Sequence, residues 1–352
     1  MFLKLNQIIL FSLWAFFLAL ILYPCYIKLL RKLKAGQQIR EASVTGEKSP
    51  IFTQLHQHKA WTPTMWGGIF LVVMLLMILI SLFLQYKGWI KYSLFTRSET
   101  YILLFWLFSM GLIWVIDDWL NIKGVGKIKW LSAKAKLIGM FLFAGFISWW
   151  FYVKLGVDYV NLWPIAGKVQ IWILFPILTF FITTSIVNAI NITDGLDGLA
   201  WGLMTIIFFT LAIVTFFNGT YLATTIIGIV IACLVAFMFF NINPAKIFMG
   251  DSWALALGWI LASLLYILNM RMGILIPFLV IFLLFIIDTA SSFLQILSKK
   301  YLKRKLYPTA PLHHLFEYRG IPEATIVMKA WLLQWILAAI TIIALFYQIG
   351  GQ

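Results

Sequence analysis

The amino-acid sequence predicts an all-α, polytopic integral membrane protein, and three observations carry that reading. Of its 352 residues, 63% are hydrophobic and only 11% are charged. Apolar runs of about 20 residues, the length that crosses a bilayer as a helix, recur along the whole chain. The positive charge gathers in every second connection between those runs. A water-soluble chain of this length could not enclose so much apolar surface in one core.

Ten spans are expected, at roughly 8–30, 66–86, 99–117, 132–153, 170–190, 198–217, 220–240, 253–270, 273–296 and 325–348. The first run passes through Tyr23-Pro24-Cys25-Tyr26 to Leu30 without a small-residue cleavage site, so it reads as a retained helix and not a signal peptide. Cys25 and Cys233 both lie in apolar runs and are expected to be small buried hydrophobes. No low-complexity tract or internal repeat interrupts the chain, so 1–352 is expected to form one integral domain.

The net charge of +15 would suit nucleic acid, but its distribution is that of a membrane protein. Twenty of the 27 Lys and Arg flank the odd-numbered connections. Cytoplasmic loops carry such an excess. The odd connections are therefore expected in the cytoplasm and both termini outside. All four His and most acids, including Asp117, Asp118, Asp194, Asp197, Asp251, Glu317 and Glu323, fall on that same side. Asp288 is placed mid-span. A cytoplasmic active site at the ends of membrane helices follows, whereas a transporter or scramblase would place its charged groups at membrane depth on broken helices.

Four clusters carry the chemistry. Asp117-Asp118 closes the third run. Adjacent carboxylates repel and lose hydration there, which a divalent cation or the nearby Lys123, Lys127 and Lys129 would relieve. Asn188, Asn191, Asp194 and Asp197 recur every three residues and would share one stripe if the helix ran on, with Gly195 and Gly198 permitting close backbone approach. Asn241-Ile242-Asn243-Pro244 and Phe248-Met249-Gly250-Asp251 form the third; Asp251 precedes a span, near the positive end of its dipole. His313, His314 and Glu317 follow the basic run Lys299–Lys305. With no cysteine nearby, Zn²⁺ is a poorer fit than a hard cation on carboxylates. The histidines then read as phosphate contacts or proton carriers. Carboxylates, lysines and histidines at a membrane face suit displacement at phosphorus on a lipid-linked phosphate.

On these residues the chain resembles the polyprenyl-phosphate N-acetylhexosamine-1-phosphate transferases, and within them the phospho-N-acetylmuramoyl-pentapeptide transferase branch. The resemblance runs from about Gly36 to Glu323. It includes Gly36-Gln37-Gln38-Ile39-Arg40, His56 with Lys59, Thr62-Pro63-Thr64-Met65, Asp117-Asp118, Leu131–Lys136, Asn188–Gly198, Phe248–Asp251 and Ala310-Pro311-Leu312-His313-His314. It implies ten membrane helices around a cytoplasmic cleft in a bacterial inner membrane, with membrane lipid as surroundings and a homodimer as the assembly. The implied reaction joins phospho-muramoyl-pentapeptide from a UDP-linked donor to undecaprenyl phosphate, giving lipid I and UMP.

By motif, Asp117 and Asp118 match the catalytic aspartate pair and Asp251 an Mg²⁺ ligand, with the pair also near the metal. Asn188, Asn191, Asp194, Leu196, Asp197 and Asn241 match the cleft, and Phe248 the aromatic stacked on uracil. Lys59, Lys136, His313 and His314 match positions that contact phosphates or support catalysis. The chain departs from the family pattern at Asn121 (usually Lys), Leu315 (a third His), Trp253-Ala254 (Gly-Ser), Trp61 (Gly) and Trp66. A UDP-N-acetylglucosamine or other hexosamine donor is the alternative within the same chemistry.

Overall fold

The computed structural model describes residues 2–33, 36, 59, 62–64, 67–96, 101, 103–105, 108, 109, 111 and 133–350; the side chains at 2–3, 133–137, 251–253 and 349–350 are not among those described. The protein is mostly helical. In chain order the elements are α1 (Phe2–Lys32), α2 (Gly67–Tyr86), α3 (Ala133–Trp149) with a π turn (Trp150–Lys154), β1 (Tyr159–Asn161), β2 (Lys168–Gln170), α4 (Leu174–Thr193), α5 (Leu199–Phe217) and α6 (Tyr221–Asn241). There follow α7 (Asp251–Met272), α8 (Leu275–Ile281), α9 (Leu283–Leu297) with a second π turn (Ser298–Leu302), α10 (Leu312–Tyr318) and α11 (Glu323–Gly350). The two strands pair antiparallel, Tyr159 opposite Gln170.

Among the described residues, seven helices are long and apolar enough to cross a membrane, and the bent pair α8–α9 would make an eighth. Residues 101, 103–105, 108, 109 and 111, within the expected third span, are helical. The expected fourth span is α3 continued by its π turn, and the others coincide with single helices to within a few residues. The expected span 273–296 is the exception. It breaks at Phe282, where α8 and α9 meet at 71°. A break in an apolar setting leaves backbone carbonyls that water cannot reach. Here α11 supplies the partners: Gln334 Nε2 donates to Ile281 O at 2.7 Å and Thr341 Oγ1 to Pro277 O at 3.4 Å.

α5, α6 and α7 form the centre. Their apolar windows are 78%, 72% and 83% buried, against 28% for α1 and 22% for α11. α1 packs on α6 and α2, α11 packs on α5, and α4 lies between α3 and α7. The outer helices leave large apolar side chains such as Phe17, Ile21, Leu332 and Ile343 exposed, as a lipid-facing surface requires. Cys233 is buried, as expected; Cys25, against expectation, lies on the exposed face of α1. Hydroxyls inside the spans bond backward along their own helices, as Thr210 Oγ1 does to Ile206 O at 3.0 Å. Tyr266 ties α7 to α4 through Thr183 Oγ1 and Thr179 O, both at 2.7 Å.

Two ends result. The β-hairpin sits against the end of α7, where Tyr159 OH donates to Met270 O at 3.4 Å. The polar junctions α4–α5, α6–α7 and α10–α11 gather at the other end. There α5 and α11 approach closely, because a Cβ on Gly202 would overlap the Trp331 indole. Gly202→Leu is expected to cost about 1–3 kcal/mol, the usual range for overpacking, read as a lowered thermal midpoint of the detergent-solubilised protein.

Candidate functional site

The expected stripe of four polar residues does not form as a continuous helix. α4 ends at Thr193, and Asp194 takes a non-helical conformation as its C-cap. Gly198, at φ +78°, starts α5. Asn188 and Asn191 therefore lie on the last turns of α4, while Asp194 and Asp197 belong to a tight turn with their own directions. Asn188 Nδ2 donates to Thr184 O within its helix at 2.9 Å. Leu196 is buried.

The turn is shaped by the Asp197 carboxylate. Oδ1 accepts from Lys59 Nζ at 2.8 Å; Oδ2 accepts from Asn243 Nδ2 at 3.2 Å and from the Ala245 backbone N–H at 3.0 Å. Glu323, the first residue of α11, doubles the arrangement. Its Oε1 accepts from Lys59 Nζ and from the Asp197 backbone N–H, both at 2.6 Å, and its Oε2 from Asn243 Nδ2 at 3.1 Å. The side chains of Lys59, Asp197 and Glu323 are 11%, 3% and 12% exposed, so solvent screens the cluster little. One lysine between two carboxylates, with an amide and two backbone donors, satisfies charges that would otherwise be costly to bury.

The next junction is held by Asn241. Its Oδ1 accepts from Gly198 N at 3.0 Å and its Nδ2 donates to Ile247 O at 2.9 Å, so one amide spans both loops. Trp331 Nε1 donates to Gly198 O at 3.2 Å. Phe248 N donates to Pro63 O at 2.7 Å, which sets the Thr-Pro-Thr segment against the half-buried Phe248. Asp251 begins α7 two residues beyond Met249. Lys59, Leu196, Asp197, Asn241 and Phe248 thus come together, with Asn188, Asn191 and Asp194 on the adjoining turn. Asp117 and Asp118 lie outside the described residues, and the side chains of Asp251 and Lys136 lie outside the described ones.

The histidines stand on α10 and reach the same turn. A Cβ on Gly195 would overlap His313 Nε2 and crowd His314 Nε2, so only glycine fits there. The two rings meet edge to face, with centroids 4.2 Å apart. His314 Nδ1 lies 2.7 Å from Glu317 Oε2, and His313 Nδ1 lies 2.8 Å from Asp288 Oδ2. Leu315 is buried, and the departure at that position replaces no member of these two pairs.

Among the described residues no three His, Cys, Asp or Glu side chains form a group suited to a metal ion. Asp197, Glu323 and Asp288 are each engaged by protein donors. The carboxylates expected to hold a hard cation, Asp117, Asp118 and Asp251, are not among the described side chains.

Three contributors escaped the sequence reading. Glu323 counted only as one of the acids on the cytoplasmic side, with no partner or role. Asn243 sat inside a noted motif without a role. Asp288, noted only as a mid-span acid, makes a helix–helix polar contact, joining α9 to His313 of α10.

The glycosyl transferase family 4 model matches residues 100–269. The chain is 34% identical over 325 residues to the phospho-N-acetylmuramoyl-pentapeptide-transferase of Staphylococcus haemolyticus, covering 90% of this chain and 92% of that protein. It belongs to the phospho-N-acetylmuramoyl-pentapeptide transferase family. The like-named protein of Anoxybacillus flavithermus is 33% identical over 90% of this chain and 91% of its own. That of Bacillus licheniformis is 30% identical over 96% and 98%. Family membership makes the chain a multi-pass membrane transferase. Asp197→Ala in this family member removes the shared acceptor of Lys59, Asn243 and Ala245. Breaking such a buried pair from one side costs about 3–5 kcal/mol, so the variant is expected to unfold at markedly lower temperature than Asp197→Asn, in a detergent melt of both.

Proposed function

We propose that this protein transfers phospho-N-acetylmuramoyl-pentapeptide from its UDP-linked donor to undecaprenyl phosphate, giving lipid I and UMP at the cytoplasmic face of a bacterial inner membrane. The observation that carries this reading is the meeting of Lys59, Asp197, Asn241 and Phe248 from separated stretches of a chain in this family. In the reaction an oxygen of the lipid phosphate bonds to the sugar-linked phosphorus as the bond from that phosphorus to UMP breaks. The excess of Lys and Arg on the odd connections supports the cytoplasmic orientation, with both termini outside.

The residues divide the work by chemistry. Phe248 offers an aromatic face to the uracil ring. Lys59, Asn191, Asp194 and the Asn241-held turn line the donor site, with Asn188 and Leu196 supporting it. Lys136, His313 and His314 meet phosphate oxygens, and one of Asp117 and Asp118 takes the proton of the lipid phosphate. Asp251, with Asp117 and Asp118, would hold Mg²⁺, which when bound supplies positive charge to the pyrophosphate oxygens.

Incubating purified protein with undecaprenyl phosphate, UDP-muramoyl-pentapeptide and Mg²⁺ is expected to release UMP, and chelation of the cation to stop release until Mg²⁺ is restored. Release only from UDP-N-acetylglucosamine would move the chain to the hexosamine donor; no release from any UDP-sugar would reject the transferase reading. Asp251→Ala is expected to abolish turnover while the thermal midpoint stays near that of the parent. Full activity in that variant would remove Asp251 from the metal site.

A further inference from the structure

Asp288 is a buried carboxylate and the one charged residue of α9, where a hydrophobic residue would pack at lower cost. Both of its oxygens serve one residue 25 positions away. Oδ2 lies 2.8 Å from His313 Nδ1, and Oδ1 accepts the His313 backbone N–H at 3.2 Å. These contacts fix the start of α10 and the orientation of the ring together. A carboxylate at Nδ1 places the proton of that nitrogen toward Asp288, which leaves Nε2 as the ring atom that meets a ligand.

His313 Nε2 is buried and, among the described residues, has no hydrogen-bond partner. A nitrogen left so costs about 1–3 kcal/mol, and the fold nevertheless holds it in place. It is aimed at Gly195, whose missing side chain leaves it room. Gly195 lies in the turn between Asp194 and Asp197, on the candidate site.

We propose that Asp288 is a positioning residue: through Nδ1 it holds the His313 ring so that Nε2 meets a phosphate oxygen bound beside Gly195. An anionic oxygen at Nε2 and the Asp288 carboxylate at Nδ1 would flank the imidazole from both sides, one at each ring nitrogen. The inference rests on the transferase reading above.

Steady-state UMP release tests it with Asp288→Asn, His313→Gln and the double variant. Asn keeps the shape and an acceptor for the His313 N–H but removes the charge at Nδ1. Asp288→Asn is expected to lower kcat about 10- to 100-fold, the range for losing an outer partner that orients a metal-bound histidine, with KM for the UDP-linked donor little changed. In the His313→Gln background the same substitution should have little further effect, because two residues acting through one atom are not additive. Asp288→Glu should recover part of the loss. Parent-like kcat in Asp288→Asn, or equal fold losses with and without His313, would overturn the proposal while leaving the transferase reading intact. Absence of UMP release from the parent protein would overturn both. If Asp288→Asn does not accumulate as folded protein, Asp288→Glu and Asp288→Gln, matched in shape, carry the comparison; equal kcat in those two would overturn it.

Discussion

The Asp197 carboxylate is the constraint on which the polar end of the molecule depends. It accepts from Lys59, from Asn243 and from the Ala245 backbone, and its own backbone N–H is taken by Glu323. Four stretches of chain, separated by up to 264 residues, are joined at one ion cluster. At such low exposure each partner compensates the burial of the others, so losing one is costly. The turn from Asp194 to Gly198 therefore has one shape, and Asn241, Trp331 and the histidines are built against it.

The surroundings explain why these groups sit where they do. Along the described spans many hydroxyls bond back to their own helix and a few polar groups pair across helices, as Tyr266 does with Thr183. Apart from Asp288, which meets His313, the buried charge among the described residues is held at the helix ends, where adjoining loops supply amides and backbone donors. The break at Phe282 follows the same rule, its carbonyl need met by Gln334 of α11. A transferase that must receive a water-soluble nucleotide and a membrane-held phosphate needs this arrangement, with polar groups at an interface and apolar walls beside them.

Much of this was legible in the chain. Apolar run length fixed most helices to within a few residues, because membrane thickness sets a length that tertiary context hardly alters. The motifs at Asn188–Gly198, Asn241 and Phe248–Asp251 marked the junctions that gather. Pairings across long separations were not legible. Nothing local in Glu323 points to Lys59, 264 residues earlier, and nothing in the apolar run around Asp288 points to His313. The continuous polar stripe failed for a related reason: three-residue spacing assumes an unbroken helix, and the glycines that permit the turn also end it. The break in the ninth span left no pattern in hydropathy, since both of its halves are apolar.

The central claim is that the cluster around Lys59 and Asp197 borders a nucleotide-binding site. Equilibrium titration of the purified protein with UMP tests it most directly, comparing the parent with Lys59→Ala and with Lys300→Ala, a change at an exposed lysine beside α9. The account predicts saturable binding in the parent and in Lys300→Ala, and its loss in Lys59→Ala. Equal UMP affinity in all three proteins would contradict it.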